Sequence, residues 1–325
     1  MEASVLAFRN RHAGPVDSRQ LRYFAAIHDL GSLTAAADAE HVAVSALSYH
    51  LSNLEAELGV RLFTRRPRGL EPTAAGLRLY THARAVLRAM EDARADLSTA
   101  RESVSGDVAV GLAYSAVKAI GLDLATRVLN DYPSLRLSLT ESLSGTTLLH
   151  LHSVDVDLAL VYNPPATPLL DCVPLLEERM VLVGRPEIIG ASADPITVEE
   201  ILELPIILLR QGVSARALME DAALLRKLEA RALLQMNSVH AIGDALVAGL
   251  GCAIGTDLFM RERLQAGEIV SRPIISPTLH RTLYLCQLND RPPTVAREVM
   301  HDLIVELVRE AVTSGRWKAE LIAGR

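Results

Sequence analysis

The stretch AVSALSYHLSNLE, residues 43–55, has the leucine spacing of a helix that is buried on one side and polar on the other. Four leucines within it and just after it recur every three or four residues and would form one buried stripe: Leu47, Leu51, Leu54 and Leu58. Gly59 follows as a C-cap. The spacing therefore predicts a helix whose outer face is free to contact another molecule.

Two shorter helices are predicted before this one. Asp17 or Ser18 can cap the first, and Gly31-Ser32 ends it and caps a compact, alanine-rich second helix. A turn near Glu40-His41 then leads into the quoted stretch. Two short helices joined by a tight turn, the second with a polar outer face, form the helix-turn-helix pattern.

The next segment, RLFTRRPRGLEPT over residues 61–73, has the β-rich ends and the Pro/Gly middle of a small hairpin, or wing. Four arginines fall in a stretch, residues 58–70, that contains no acidic residue: Arg61, Arg65, Arg66 and Arg68. An arginine-bearing wing beside a recognition helix can reach phosphates or a narrow minor groove.

The charge distribution agrees with a nucleic-acid partner, although the net charge is -6. Residues 1–104 hold 13 Arg and no Lys against 12 Asp plus Glu, a net of +1, which leaves -7 for residues 105–325. Positive charge is thus concentrated in the segment that carries the helix-turn-helix pattern.

A long helix is predicted from Thr73, which can cap it, to about residue 101. Six of its residues alternate by four and three positions: Leu79, Ala83, Val86, Met90, Ala93 and Leu97. This is the a/d pattern of a coiled coil, so we expect the helix to dimerise.

Seven short motifs follow each other along the chain: Leu21-Arg-Tyr-Phe, Gly31-Ser-Leu-Thr-Ala-Ala-Ala, Ser45-Ala-Leu-Ser, Leu54-Glu, Leu58-Gly-Val-Arg-Leu-Phe-Thr-Arg and Pro72-Thr-Ala-Ala-Gly, with Ser144-Gly-Thr-Thr further on. In this succession the chain resembles the LysR-type transcriptional regulator family, over about residues 17–310 and most strongly over 18–77. Ser144-Gly-Thr-Thr, followed by Asp155-Val-Asp-Leu-Ala-Leu-Val-Tyr, looks most like the nitrogen-assimilation branch of that family.

The resemblance implies a multidomain α and α/β protein. Its expected parts are a flexible tail (1–16), a winged helix-turn-helix DNA-binding domain (17–75), a dimerisation linker helix (76–104) and a two-lobed effector-binding domain (105–325). Lobe I would comprise about 105–176 and 277–313, and lobe II about 177–276. The effector domain would resemble periplasmic solute-binding proteins in fold.

The pattern beyond Ser105-Gly106 supports an α/β domain. Strands are predicted over 107–112, 134–140, 157–162, 180–184, 205–209, 231–236 and 281–286, and helices over 117–130, 144–153, 214–229 and 294–313. Such alternation of strands and helices predicts a mainly parallel sheet. The chain would pass between the two lobes twice, which implies a hinged cleft between them.

DNA contacts are expected from the outer face of the quoted helix, from the helix before it and from the wing. The candidates are Ser32, Thr34, Val44, Ser45, Ser48, Tyr49, His50, Asn53, Arg65, Arg66 and Arg68. At about 100° per residue, Tyr49 and Asn53 fall opposite the leucine stripe, whereas Ser48 and His50 lie on its flanks. Tyr49 is therefore expected to contact a base edge or a sugar, and His50 a phosphate or a packing neighbour.

Where the family usually has Gln-Pro, this chain has Val44-Ser45. The resemblance therefore gives only weak support to a contact between Ser45 and a DNA groove. Val44 could offer an apolar contact to a thymine methyl group.

Small ligands of open α/β sheets bind at the carboxyl ends of strands, near helix N-termini. The residues that follow strands in this way are Tyr114, Ser115, Ser144, Thr146, Tyr162, Asn163 and Ser238. In the resemblance, Ser115, Thr146 and Ser238 would line a pocket between the lobes. The alternative is that these hydroxyl groups are ordinary helix caps.

Three cysteines far apart do not suit a disulfide framework and are typical of a reducing compartment, and Cys172 and Cys286 are expected to be buried, inert thiols. No apolar run of about 18 residues is present. We therefore expect a cytoplasmic, nucleoid-associated protein without a membrane partner.

His150-x-His152 with Asp155 could bind a metal, but no further ligand is fixed nearby, and the pair is expected to be solvated. No catalytic or nucleotide-binding motif is found, so neither an enzymatic activity nor a cofactor is expected.

Together these patterns predict a sequence-specific regulator that binds an interrupted near-palindrome in double-stranded promoter DNA as a dimer or tetramer. A small-molecule effector, a small carboxylate or an amino acid, would modulate it, and RNA polymerase is a possible partner. Two alternatives stay open: a regulator that needs no effector, and a cytoplasmic small-molecule-binding α/β protein whose helical N-terminus only dimerises.

Overall fold

The computed structural model describes residues 16–67, 69–98, 104–210 and 222–322. The chain divides into two compact units after Arg94. The elements of the first unit are α1 (Ser18–Leu30), α2 (Leu33–Ala39), α3 (Val44–Leu58), β1 (Phe63–Arg66), β2 (Gly69–Pro72) and α4 (Ala74–Ser98). The helix-turn-helix, the wing and the long helix thus occupy the segments that the sequence predicts.

Local side-chain chemistry sets the ends of the first helices. Asp17 is the N-cap of α1, and its carboxylate accepts the N–H of Gln20 at 2.7 Å in a reciprocal capping box. Gly31 ends α1 with a left-handed backbone at φ 62°, and Gly59 ends α3 in the same way at φ 67°.

The leucine stripe of α3 is confirmed for its first part only. Leu47 and Leu54 are fully buried and Leu51 is half-buried, but Leu58 is 40% exposed. Leu58 is the last residue of α3, next to Gly59, and extends past the core formed with Phe24 and Ile27. The prediction that Leu58 is buried was therefore wrong.

The wing packs against the turn between α1 and α2 through two glycines. The N–H of Leu70 in β2 donates to the carbonyl oxygen of Gly31 at 2.8 Å. A Cβ atom on Gly69 would lie 2.4 Å from that same oxygen, and Gly69 has φ 133°, which L side chains rarely adopt. Glycine at residue 69 therefore allows the wing to approach the helix-turn-helix closely.

The strands of the second unit, in chain order, are β3 (Gly106–Leu112), β4 (Leu135–Glu141), β5 (Leu158–Tyr162), β6 (Leu170–Arg179), β7 (Val181–Gly184), β8 (Ile196–Thr197), β9 (Ile207–Leu209), β10 (Leu234–Met236), β11 (Cys252–Gly255), β12 (Val270–Ile275), β13 (His280–Leu288) and β14 (Glu320–Leu321).

Its helices are α5 (Tyr114–Ala116), α6 (Leu122–Asp131), α7 (Ser144–His152), α8 (Pro186–Ile189), α9 (Val198–Ile201), α10 (Ala222–Arg231), α11 (Val239–Val247), α12 (Arg261–Gln265) and α13 (Val295–Thr313). A π-helical turn, Val117–Gly121, joins α5 to α6. The predicted helix 214–229 begins outside the described residues.

Two main sheets define the two lobes of this unit. The six-stranded sheet has the order β14-β6-β13-β5-β3-β4, and the four-stranded sheet has the order β11-β7-β12-β8. The short parallel pair β9 and β10 adjoins the second sheet through a bridge between Ile206 and Cys252.

The expectation of a mainly parallel sheet was wrong. In the six-stranded sheet β3 pairs in parallel with β4 and β5, but β13 pairs antiparallel with β5 and β6, and β6 antiparallel with β14. The long strands β6 and β13 lead into the second lobe and back from it, so they run in opposite directions. Helix α13 covers this sheet with buried Met300, Ile304 and Leu307.

Cys172 and Cys286 form a disulfide, so the expectation of two inert thiols was wrong. They face each other in register on the antiparallel strands β6 and β13, although 114 residues separate them in sequence. The cysteines therefore give no support to a reducing compartment. Cys252 is a buried free thiol, and burial raises its pKa to about 12.

None of the described helices combines the length and the apolar composition needed to cross a bilayer.

Candidate functional site

The outer face of α3 is an exposed surface of the helix-turn-helix. Tyr49 is 65% exposed, and Val44, the first residue of the helix, is 41% exposed. Ser45 is also exposed, and Asn53 and Ser48 are half-buried. The predicted base-reading residues therefore share an accessible surface, while their contact with DNA stays a prediction.

His50 differs from its neighbour Tyr49. It is half-buried, and its ring meets the ring of Tyr23 in α1 edge-on, with centroids 5.2 Å apart. It also meets the Tyr49 ring edge-on at 5.9 Å. His50 thus packs between α1 and α3 and helps to orient Tyr49.

Ser32 and Thr34 lie at the start of α2. The Ser32 hydroxyl is the N-cap of this helix and accepts the N–H of Ala35 at 3.3 Å. Thr34 is exposed in the first turn. Ser32 therefore has a structural role already, in addition to the DNA contact predicted for it.

The wing arginines fall into different environments. Arg66 pairs with Glu71 on the facing strand at 2.7 Å, and Arg61 pairs with Glu55 at 2.6 Å. Arg65 is exposed and has no ion-pair partner among the described residues. Arg68 lies outside the described residues. The guanidinium of Arg65 is thus accessible to a phosphate.

Glu55 is a buried acid of α3 that sequence reasoning missed. Its side chain is 8% exposed, and its carboxylate accepts the N–H of Leu62 at 2.8 Å and the Arg61 guanidinium at 2.6 Å. The Leu54-Glu motif and the arginine six residues later were the available signals. Glu55 fixes the segment that leads from α3 into the wing.

Helix α4 leaves part of its heptad stripe uncovered. Ala83 is fully buried and Leu79 half-buried, but Val86 and Met90 are 46% and 37% exposed. The side chain of Leu97 lies outside those described. The exposed stripe is therefore available to a second helix.

The predicted effector residues separate into a buried group and an exposed group. Ser115, Ser144, Tyr162 and Asn163 are buried, whereas Thr146 and Ser238 are exposed and Tyr114 is half-buried. Ser144 accepts the backbone N–H of Tyr162 at 3.1 Å, and Ser238 accepts the N–H of Ala241 as the N-cap of α11. Asn163 accepts the N–H of Thr282 through its side-chain oxygen. The cap role left open for Ser238 is thus observed.

A buried ion pair, missed by sequence reasoning, fills the space beside Ser115 and Tyr162. Arg281 of β13 donates through Nε to Glu178 at 2.8 Å, and both side chains are almost inaccessible. The Arg281 guanidinium also donates to Ser115 at 2.9 Å and lies 3.7 Å from the centroid of the Tyr162 ring. Arg281 is 103 residues from Glu178, so no local pattern could reveal the pair.

The pair is tied to both lobes and to the C-terminal segment. Arg281 donates to Thr256 Oγ1 at 3.4 Å, just after β11, and Trp317 Nε1 donates to Glu178 at 2.7 Å. Burial opposes the charge of Arg281, but the Glu178 carboxylate holds its pKa above the ordinary value. Burial also raises the pKa of Tyr162 well above its usual value. Arg281 therefore stays charged and joined to Glu178.

An open cavity of about 460 Å³ is lined in part by Tyr114, the residue that precedes Ser115 of this network. Its walls come from Tyr114 and Lys118 after β3, from Val239, His240 and Gly243 of α11, and from the segment Phe259 to Glu268. Tyr114 is the predicted effector residue that lines it.

The described residues contain no group of three or more His, Cys, Asp or Glu placed to hold a metal ion. His150 Nδ1 lies 3.4 Å from Asp155 and is more than a third exposed. The pair is thus partly solvated, in line with the interpretation of these histidines as ordinary surface residues.

A winged helix-turn-helix is a DNA-binding module, and here a long helix and a two-lobed α/β unit follow it, so the fold indicates the class of DNA-binding regulators. Residues 18–77 match the model of the bacterial regulatory helix-turn-helix protein, lysR family, and residues 101–309 match the LysR substrate binding domain. The chain therefore belongs to the LysR family, as a regulator with a DNA-binding helix-turn-helix and an effector-binding domain.

Relatives support the nitrogen-assimilation resemblance. The chain is 34% identical over 269 residues to the nitrogen assimilation regulatory protein nac of Klebsiella aerogenes, covering 82% of this chain and 87% of that protein. It is 33% identical over 268 residues to the protein of the same name from Escherichia coli K12, with the same coverage.

Solved structures share the fold at lower identity. A full-length OxyR variant from Pseudomonas aeruginosa aligns with a TM-score of 0.69 at 20% identity, over 91% of this chain and 95% of that one. Full-length CbnR complexed with its target DNA aligns with a TM-score of 0.62 at 21% identity, over 91% of this chain and 100% of that one. The predicted fold class is confirmed.

Proposed function

We propose that this protein binds an interrupted near-palindromic promoter site as a dimer or tetramer and that a small-molecule effector modulates its action there. It acts as a regulator in the cytoplasm and not as an enzyme; the relatives, which are named regulators, support this. RNA polymerase is the partner through which bound protein would alter transcription.

The exposed face of α3 carries the proposal. Tyr49 and Ser45 lie on one accessible helical surface, Val44 is exposed at the N-terminal end of the same helix, and the exposed Arg65 lies in the neighbouring wing. A helix of this kind fits the major groove, where side chains distinguish base pairs, and a wing arginine adds salt-sensitive phosphate affinity. Tyr49 would therefore contribute to base choice and Arg65 to general affinity.

The exposed Val86 and Met90 of α4 support the dimer. Pairing two α4 helices would remove this stripe from water and place two recognition helices on one side of the DNA. Half-sites would then lie one or more helical turns apart, so a two-fold protein requires a near-palindrome.

The proposal is tested by gel shift with the DNA that flanks the protein's own gene. We expect binding that exceeds binding to scrambled DNA of the same composition, and an affinity that falls as salt rises from about 50 to 200 mM. Equal affinity for both DNAs, or no binding, would contradict it and favour the alternative of a small-molecule-binding protein whose helical unit only dimerises.

An effector-independent regulator is the second candidate, and the buried Arg281–Glu178 pair favours it. The pair occupies the space that the sequence assigned to an effector at Ser115 and Tyr162. Trp317 offers a direct test, because it is the chain's only tryptophan and hydrogen bonds Glu178. Titration with small carboxylates and amino acids should change its fluorescence if an effector acts; an unchanged spectrum with intact DNA binding would support the second candidate.

A further inference from the structure

The open cavity of the second unit differs in chemistry from the buried network beside it. Its floor is apolar: the Tyr114 and Phe259 rings meet edge-on with centroids 6.5 Å apart, and Phe259 and Met260 are buried. Its volume of about 460 Å³ lies in the range of small-molecule sites, which runs from about 300 to 1,000 Å³.

Two cations that line the cavity, Lys118 and Arg263, are held by ion pairs. Lys118 Nζ lies 2.5 Å from Glu262, and the side chain of Lys118 is only 16% exposed. Arg263 pairs with Asp244 at 2.5 Å and with Glu268 at 3.5 Å. Its Nε lies against α11, where a Cβ atom on Gly243 would come within 2.8 Å of it. Both cations therefore have little freedom to move.

The acidic partners of these cations are the more exposed half of each pair. The side chain of Glu262 is 70% exposed and that of Glu268 46% exposed. Ion pairs whose acid is exposed contribute little to stability, so a ligand can separate these pairs at little cost.

The balance of charge selects the kind of ligand. A dianion would have to displace acids that face the cavity, and a dication would have to displace Lys118 and Arg263. A zwitterion inserted between Lys118 and Glu262 replaces one ion pair by two, with its carboxylate on Lys118 and its ammonium on Glu262. It adds no net charge to a partly desolvated site.

We propose that this cavity binds an α-amino acid with an apolar side chain, which lies on Tyr114, Phe259 and Met260 while Lys118 and Glu262 hold its two charges. Burial, aided by Glu262, raises the pKa of Tyr114, so its hydroxyl stays protonated and can donate to the ligand. The inference rests on the proposed function in that the ligand would serve as the effector. Because Lys118 follows β3 in the first lobe and Glu262 belongs to the second, the ligand would bridge the lobes.

Calorimetric titration of the full-length protein with L-phenylalanine, L-leucine and L-methionine tests the proposal. 2-Phenylethylamine and 3-phenylpropionate serve as matched probes, because each keeps the phenyl group and one charge of phenylalanine. We expect at least one of the three amino acids to bind. If phenylalanine binds, its affinity should be at least tenfold higher than that of either probe. No binding by any amino acid, or equal binding of phenylalanine and a single-charge probe, overturns the proposal.

Variants locate the site. Lys118→Met and Glu262→Gln should each weaken binding by about ten- to hundredfold, the range for a lost hydrogen bond to a charged group. Arg136→Met removes a cation from the exposed Arg136–Asp107 pair outside the cavity and should leave affinity unchanged. If both cavity variants bind the amino acid with the affinity of the parent protein, the assignment of the ligand to this cavity is overturned. DNA binding measured on the same samples separates the cases: intact specific DNA binding without amino-acid binding refutes this inference alone.

Discussion

At the scale of single residues, Glu55 is a side chain on which the DNA-reading unit depends. Glu55→Ala would leave the buried N–H of Leu62 without its acceptor, and we expect a loss of about 1–3 kcal/mol in the free energy of unfolding. Glu55→Gln keeps an acceptor and should lose less. Denaturant unfolding followed by circular dichroism measures both, and equal stability of the alanine variant and the parent would refute this role.

The cysteines give a second prediction at this scale. In protein purified without reductant and then unfolded, a thiol reagent should titrate one thiol per chain, Cys252, because Cys172 and Cys286 are bonded. After reduction the count should rise to the three cysteines of the sequence. Three thiols before reduction would show that the pair is not joined.

Residue contacts close in sequence were predictable, and distant ones were not. Asp17 as a cap and Gly59 as a helix end follow from chemistry within a few residues. The Cys172–Cys286 bond and the Arg281–Ser115 contact join residues 114 and 166 positions apart, and only the register of β6, β13, β5 and β3 brings them together. No periodicity in one sequence specifies that register.

At the scale of elements, we propose that α4 carries the assembly. Val86→Glu combined with Met90→Glu places two charges on the exposed stripe, so we expect the assembly to dissociate toward the 35.2 kDa monomer. Light scattering after gel filtration gives the mass.

Thr81→Glu is the matched control, because Thr81 is exposed and, at about 100° per residue, lies on the opposite side of the helix. It should keep the parent's mass. A parent that is already monomeric, or a double variant that keeps the parent's mass, would contradict dimerisation through α4.

The sequence predicted element boundaries well where capping residues and hydrophobic periodicity indicated the same helix. An example is α13, predicted over 294–313 and observed over Val295–Thr313. The sequence did not predict whether neighbouring strands run parallel or antiparallel. The extent of strand β6 was not predicted, because LDCVPLLEER lacks strict alternation and contains a proline, although it forms the longest strand described.

At the scale of the whole molecule, the proposed specificity for DNA and the proposed response to a ligand belong to different units. The first unit has an accessible reading surface whose residues are held by local contacts such as the Tyr23–His50 pair. The second unit has a buried Arg281–Glu178 network and an open cavity beside it. An effector can influence DNA binding only by its differential affinity for two arrangements of the chain.

Sequence-specific binding through α3 is tested most directly by the ratio of the affinity for the cognate site to the affinity for scrambled DNA. Fluorescence anisotropy measures this ratio for the parent, for Tyr49→Ala and for Arg65→Ala. Tyr49→Ala should weaken cognate binding by roughly 5- to 100-fold with little change on scrambled DNA, since a base contact contributes about 1–3 kcal/mol of discrimination. Arg65→Ala should weaken both and leave the ratio unchanged. An equal loss on both DNAs in Tyr49→Ala, or a parent ratio of one, would contradict base reading by this helix.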